Sequence, residues 1–270
     1  MKTIRYLSLL LAAALAVTLA ACAPSPAGAE TPPGNSGAPV QTAPAETSAP
    51  TARPAEAPVW GETHFSKDFT AGDGTVILQV DYALPQVQNP DACPAGAAIN
   101  AWYESEGQNR LKEDEESYEL AVADYEVSQS LGFDYQAPVR EMSSEVIYQS
   151  EGVISVRRTL YSNYGGAHPL AFRLSEQFDA ASGKKLAFSD FFTDTAAVVS
   201  RVTEAFLTQS ELRDGSYTQE GITVAVQPEN FYLTDGGYVF WIQGGSLPAV
   251  NSPVEVTLSY DQLADWSVHG

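Results

Sequence analysis

FYLTDGGYVFWI, residues 231–242, reads as two strands and the turn that joins them: Phe231, Tyr232 and Leu233, a turn at Asp235, Gly236 and Gly237, then Tyr238, Val239, Phe240, Trp241 and Ile242. Aromatic and β-branched residues suit a pleated, buried surface, and the Gly pair supplies the reversal. Val254, Val256 and Leu258 add a further strand by their period-2 spacing, and Thr223, Val224 and Val226 predict another just upstream. Ahead of this β region lies the clearest helix, predicted from about Thr195 to Leu212. Val198, Val199, Val202, Ala205, Phe206 and Gln209 fall at helical spacing there, with Thr193 or Asp194 available as N-cap.

Strands return further upstream. Val146 and Tyr148, a turn at Glu151 and Gly152, then Val153, Ile154, Val156, Leu160 and Tyr161 predict a hairpin. Phe172, Leu174 and Phe178 follow as one more strand before the turn at residues 179–183. Between Pro94 and Tyr125 the apolar spacing is helical, through Ile99, Trp102, Tyr103, Leu111, Tyr118, Val122 and Tyr125. The acidic run Glu113, Asp114, Glu115 and Glu116 interrupts it and reads as a solvated face or a break between two helices. A calcium loop would need spaced carboxylates and a Gly turn. From His64 to Val87 the alternation is that of a first hairpin around Ala71, Gly72, Asp73 and Gly74. Because strands and helices come in separate runs, the predicted class is α+β, with a mainly antiparallel sheet and two principal helical segments. Two intimately packed halves are expected, 59–160 and 161–270.

The chain opens differently. Lys2 and Arg5 precede an uncharged apolar run from Tyr6, which closes on Leu19, Ala20, Ala21 and Cys22. That is the pattern of a lipoprotein export signal over residues 1–21, too short to span a bilayer, with Cys22 as the lipidated first residue of the mature chain. The expected address is the outer face of the bacterial cytoplasmic membrane. Residues 22–58 consist almost wholly of Ala, Pro, Ser, Thr, Gly and Glu, with Val40 as the one large aliphatic, and read as a disordered tether. All four Trp, all eleven Phe and twelve of thirteen Tyr lie from Val59 onward, which makes that part the folded one. Besides Cys22 there is only Cys93, expected to be a small buried residue, so the fold has no internal disulfide.

Without Lys2 and Arg5 the 14 basic residues fall to 12 against 34 acidic ones, a formal charge of −22. Nucleic acid is not an expected partner, and contact with the membrane is expected through the lipid anchor alone. A cationic protein would be drawn to such a surface; solubility alone is the bland reading of the same charge.

Two stretches resemble a known family: Tyr164, Gly165, Gly166, Ala167 and His168, then Phe178 and Asp179 followed by Gly183, Lys184, Lys185, Leu186, Ser189, Asp190, Phe191 and Phe192. Together with Asn230 to Asp235 and Val256 to Tyr260 they are similar to the extracytoplasmic domain of the RsiV-type anti-sigma factor and to the non-catalytic domain of PdaC-type peptidoglycan deacetylases. The resemblance spans roughly Phe65 to Tyr260 and is strongest from Tyr161 onward. It implies recognition of a lysozyme-like secreted protein or a peptidoglycan fragment. Between Phe240 and Val254 the family carries a longer aromatic and proline-containing segment, where this chain has Gln243 to Ala249. The apolar run begins so early that no sigma-binding region is expected ahead of it. The paired-Asp motif and the His-x-x-x-His pair of the deacetylase are absent from the sequence.

The expected ligand-binding residues are Tyr164, Gly165, Gly166 and His168, with the loop from Gln243 to Asn251 as a second lining. The Gly pair permits close backbone approach, and His168 precedes Pro169, which holds it extended. His168 is distant in sequence from His64 and His269, so no metal site is expected, and no cofactor. Ser162 lies near His168 but on no nucleophile elbow. The expectation is therefore a non-enzymatic binding module; a wall-directed hydrolase with His168 as base, or a protein assisting envelope assembly, are the competing readings.

Overall fold

The computed structural model describes residues 56–164, 169–209, 212, 217–248 and 250–268, and these lie in one compact unit. The export signal, Cys22, most of the tether, and Gly165, Gly166 and His168 lie outside the described residues. No helix among those described is long and apolar enough to cross a membrane.

The first hairpin forms as its alternation dictates, with β1 (Trp60–Thr70) and β2 (Val76–Val87) antiparallel around a turn closed by Ala71 N–H to the Thr75 carbonyl, 2.8 Å. Two helices follow, α1 (Gly96–Glu116) and α2 (Tyr118–Leu131), divided at Ser117. The acidic run thus sits at a helix break, yet it is not all solvated: Asp114 is 1% exposed. Then come β3 (Val139–Gln149), β4 (Val153–Asn163), β5 (Leu170–Asp179) and the short β6 (Lys185–Leu186), giving a six-stranded sheet in the order β1-β2-β3-β4-β5-β6. The expectation of antiparallel pairing holds for each neighbouring pair except β2 and β3, which are parallel. A hairpin cannot make a parallel pair; α1 and α2 carry the chain back across the sheet so that β3 can start alongside β2.

The second sheet is β7 (Phe231–Thr234), β8 (Gly237–Ile242) and β9 (Val254–Leu258), antiparallel in that order. It is accompanied by α3 (Phe188–Phe191), α4 (Thr195–Thr208), α5 (Gln219–Ala225) and α6 (Tyr260–Leu263). Asp194 caps α4, its carboxylate accepting from Ala197 N–H at 3.0 Å. The helix ends at Thr208, short of Leu212, because Gln209 turns extended. The strand expected at Thr223, Val224 and Val226 is a correction: residues 219–225 are helical. Thr218 caps that turn by accepting from Gly221 N–H at 3.0 Å, and burying Ile222 and Ala225, three apart, is a helical solution that leaves Val224 72% exposed.

Two cores result. Phe65, Phe69, Val80, Tyr82, Ile99, Tyr103, Tyr125, Met142 and Phe178 fill the space between the large sheet and α1–α2. Val198, Val202, Phe206, Ile222, Phe231, Phe240, Val256 and Leu258 fill the space between α4, α5 and the small sheet. β4 runs straight through the expected 160/161 boundary and serves both, since Val153 belongs to the second core while Ile154 and Val156 belong to the first. Successive side chains of a strand point to opposite faces, so one strand in the middle of a layered fold can join two cores.

Candidate binding surfaces

Tyr164 is described and stands 56% exposed at the end of β4. Its ring lies 5.7 Å from the Arg140 guanidinium carbon, and Arg140 is ion-paired to the buried Asp114. Tyr82 donates its hydroxyl to the other Asp114 oxygen at 2.6 Å. The base of the Tyr164 loop is therefore fixed by a chain of polar contacts from β2, α1 and β3. A buried carboxylate is tolerable here because two partners neutralise and satisfy it. Burial pushes the Tyr82 hydroxyl well above the usual phenol range, and the neighbouring Asp114 adds to that.

The second expected lining, from Gln243, goes elsewhere. The Gln243 side-chain amide accepts from Arg173 N–H at 2.8 Å and donates to the Arg173 carbonyl at 2.7 Å. It pairs with the outer edge of β5 as a strand residue would. Gly244 lies where an added Cβ would sit 3.0 Å from the Ala171 carbonyl oxygen and 2.9 Å from that of Asn251. Tyr164 leans toward β3, whereas Gln243 seals β5 on its far side, so no described contact brings the two together. Ser162 is 2% exposed and Cys93 is buried.

Within the stretch Gly183 to Phe192, residues 185–189 build one wall of a cleft of about 670 Å³ between β5, β6 and the start of α4. Ser175 and Gln177 form its floor, both donating to the Phe231 carbonyl, at 2.5 and 2.8 Å. Phe188, Val199 and Phe231 line it with apolar surface, and its ionisable residues are Lys185 and Glu229. Such a lining suits an amphiphilic ligand better than a highly charged one.

A third surface was not singled out in the sequence. Phe65, Phe69, Val80, Tyr82 and Met142 point from β1, β2 and β3 toward α1–α2, so the residues between them face the other way. Those are Glu62, His64, Ser66 and Asp68 on β1, Asp81 on β2, and Glu141 and Glu145 on β3. Ser66, Asp68, Gln79, Asp81 and Glu141 are among the walls of a shallow cleft of about 300 Å³ on this open face. His64 Nδ1 lies 2.9 Å from Asp81, and Ser66 donates to the same carboxylate at 2.6 Å. These contacts hold the Asp81 carboxyl below its usual range, Ser66 and then His64 contributing most. The alternation that places the acids together was legible; which strand lies next to which was not. Among the described residues no group of His, Cys, Asp and Glu is close enough to hold a metal ion.

At the edge of the same face, where the small sheet meets the large one, Arg157 pairs with Glu145 at 2.5 Å and Arg173 pairs with Glu255. Tyr232 lies between them, its ring 5.4 Å from the Arg157 guanidinium carbon and 6.0 Å from that of Arg173. Burial lowers the Arg173 pKa. Across the sheet, Arg158 is clamped by Glu176 at 2.5 Å and by Glu106 at 3.0 Å. Burial by itself would raise the Glu106 pKa, but Arg158 and Arg110 outweigh it and hold the carboxyl below its ordinary 4.5. A depressed carboxyl contributes stability above its unfolded pKa and loses it as pH falls through the folded one. With Glu106, Asp81 and Asp73 all lowered, the melting temperature is expected to hold above pH 4.5 and fall progressively below it. Glu106→Gln should have a lower plateau and a shallower decline; thermal scans across acid pH measure both.

No family model matches the chain, and no curated protein matches it. Solved structures do. A DUF3298 family member from Bacteroides fragilis superposes with a TM-score of 0.60 at 14% identity, covering 80% of this chain and 95% of that one. A DUF3298 family protein from Pseudomonas aeruginosa gives 0.55 at 16% identity, covering 79% and 96%. At these identities the likeness is one of fold.

Proposed function

We propose that this chain is a non-enzymatic extracytoplasmic lipoprotein, held by Cys22 at the outer face of the membrane, that recognises a secreted cationic protein of the lysozyme type. The observation that carries this reading is the open face of β1–β3, where Asp68, Asp81 and Glu141 wall a cleft able to receive a Lys or Arg side chain, and where the one cation in the lining, Arg140, is already paired with Asp114. The excess of 34 acidic over 14 basic residues would steer a cationic partner toward the domain. The resemblance of Tyr164 to His168 and Gly183 to Phe192 to the RsiV- and PdaC-type domain supports the same partner class, and DUF3298 folds are its structural setting.

Calorimetric titration of the compact unit from Ala52 with a c-type lysozyme tests this. Binding that weakens between low and physiological salt is expected. The triple variant Asp68→Asn, Asp81→Asn, Glu141→Gln should weaken it by roughly tenfold or more. Absence of heat with the lysozyme, but heat on adding soluble wall fragments, would sink the protein-partner reading in favour of a wall ligand in the larger cleft.

A further inference from the structure

α2 buries Tyr125 and packs the half-buried Tyr118 and Val122 against the core under the large sheet, yet three of its four large aliphatic side chains point the other way. Leu120, Val127 and Leu131 are 72%, 57% and 62% exposed. At 3.6 residues per turn they fall within about 40° of one another, on the side opposite Tyr118 and Tyr125. Phe133 extends the stripe at the C-terminal end of the helix and is 65% exposed. Gly132, at φ +71°, ends the helix, and Phe133 N–H reaches back to the Ser128 carbonyl at 3.0 Å. In that type of cap the residue after the glycine normally packs on the side chain at the position of Ser128. Serine offers nothing to pack on, which leaves the ring in solvent.

The spacing 120, 124, 127, 131 is that of a two-helix seam, with Asp124 as its single polar member. Glu119 and Glu126 lie together along one side of the stripe, and α2 contains no Lys or Arg. These charges decide among occupants. A second copy would set Asp124 and the flanking glutamates against their own kind, which is repulsive. Interfacial membrane helices carry Lys and Arg beside their apolar face, the reverse of this arrangement. A partner helix with an apolar stripe, basic flanks and a Lys or Arg opposite Asp124 satisfies each feature.

We infer that the outward stripe of α2, Leu120, Val127 and Leu131 around Asp124, is a docking site for a basic amphipathic helix of another protein. The site is separate from the acidic cleft, which lies across the six-stranded sheet, and does not depend on the lysozyme-type reading.

The test uses the compact unit from Ala52 and two labelled synthetic peptides of one composition. One places leucines at seam spacing with lysines on the flanks and one lysine within the seam; the other is its scramble. Anisotropy titration should show the ordered peptide binding roughly tenfold or more tightly than the scramble. Leu120→Gln, Val127→Gln, Leu131→Gln together should abolish that preference, and because these side chains are exposed, an unchanged melting temperature is the accompanying expectation. Asp124→Lys should move the preference toward a peptide with glutamate at the seam position. The Asp68, Asp81, Glu141 variant should retain the preference, which separates this site from the cleft. Equal binding of the ordered and scrambled peptides, or a preference undiminished in the triple Gln variant, overturns the inference. A dimer that the triple Gln variant abolishes, or stripe-dependent adsorption to phosphatidylcholine or phosphatidylglycerol vesicles without peptide preference, assigns the stripe to another occupant and overturns it equally.

Discussion

Arg158→Ala is expected to destabilise the fold by about 3–5 kcal/mol, because it strands a buried charge. Arg158 and Glu176 are 2% and 3% exposed by side chain, and Tyr103 donates its hydroxyl to Glu176 at 3.2 Å. Removing the guanidinium leaves Glu176 with one neutral donor in a core bounded by Trp102, Tyr103 and Phe178. Glu106 suffers less, since Arg110 still lies 2.7 Å away. Replacing both members of the central pair, Arg158→Met with Glu176→Leu, should recover most of the loss, as apolar side chains avoid the desolvation cost altogether. Arg157→Ala, one residue along the strand and paired with the largely exposed Glu145, should cost about 1 kcal/mol or less from the lost ion pair. Urea titrations of the three variants beside the parent chain measure these differences as shifts of midpoint at constant slope. A loss for Arg158→Ala no larger than for Arg157→Ala would show that the buried pair is not what holds α1 to β4 and β5.

The second large effect is expected at Gly237, the first residue of β8. Its φ is +140°, a region L-residues avoid, and an added Cβ would lie 2.2 Å from the Leu258 carbonyl oxygen and 2.7 Å from Ser259 Cα. Both obstacles are backbone, on the neighbouring strand β9 and its exit, so neither can rotate away. Gly237→Val must separate β8 from β9 or twist the turn, at a cost of about 3 kcal/mol or more from strain and lost packing together. The neighbouring Gly236, with only the Thr234 hydroxyl 3.8 Å from such a Cβ, should accept alanine at about 1 kcal/mol or less. Thermal unfolding of Gly237→Val and Gly236→Ala compares them directly; equal melting temperatures would be incompatible with the close approach at Gly237.

The hairpins were legible because local alternation and turn residues specify them, as at Ala71 to Gly74 and at Asp235 to Gly237. Thr223 and Val224 misled because β-branched side chains favour strands only where they pack, and here the cap from Thr218 and the burial of Ile222 and Ala225 decide for a helix. The parallel pairing of β2 with β3 depends on where two helices return the chain, which no local pattern records. Asp114 shows the same limit for electrostatics. Within Glu113 to Glu116 it looks like its neighbours, and only Arg140 and Tyr82, from strands distant in sequence, make it an interior residue. For the candidate surfaces, Tyr164 and the Gly183 to Phe192 stretch were picked out in the sequence. The acidic cleft was not, since Asp68, Asp81 and Glu141 come together only when three strands are laid side by side.

The side-chain clamp of Gln243 on Arg173 bears on behaviour in concentrated solution. An uncovered outer strand is a template on which further chains can add, end on end, into fibrils or amorphous deposits. β6 shields β5 only at Gln177 and Phe178, leaving its earlier residues, paired with β4 on one side, without a described strand on the other. One amide that both gives and takes a hydrogen bond at Arg173, with Gly244 pressed close to the Ala171 carbonyl, occupies the middle of that stretch. A single residue thereby does, along that stretch of β5, the work of a capping strand.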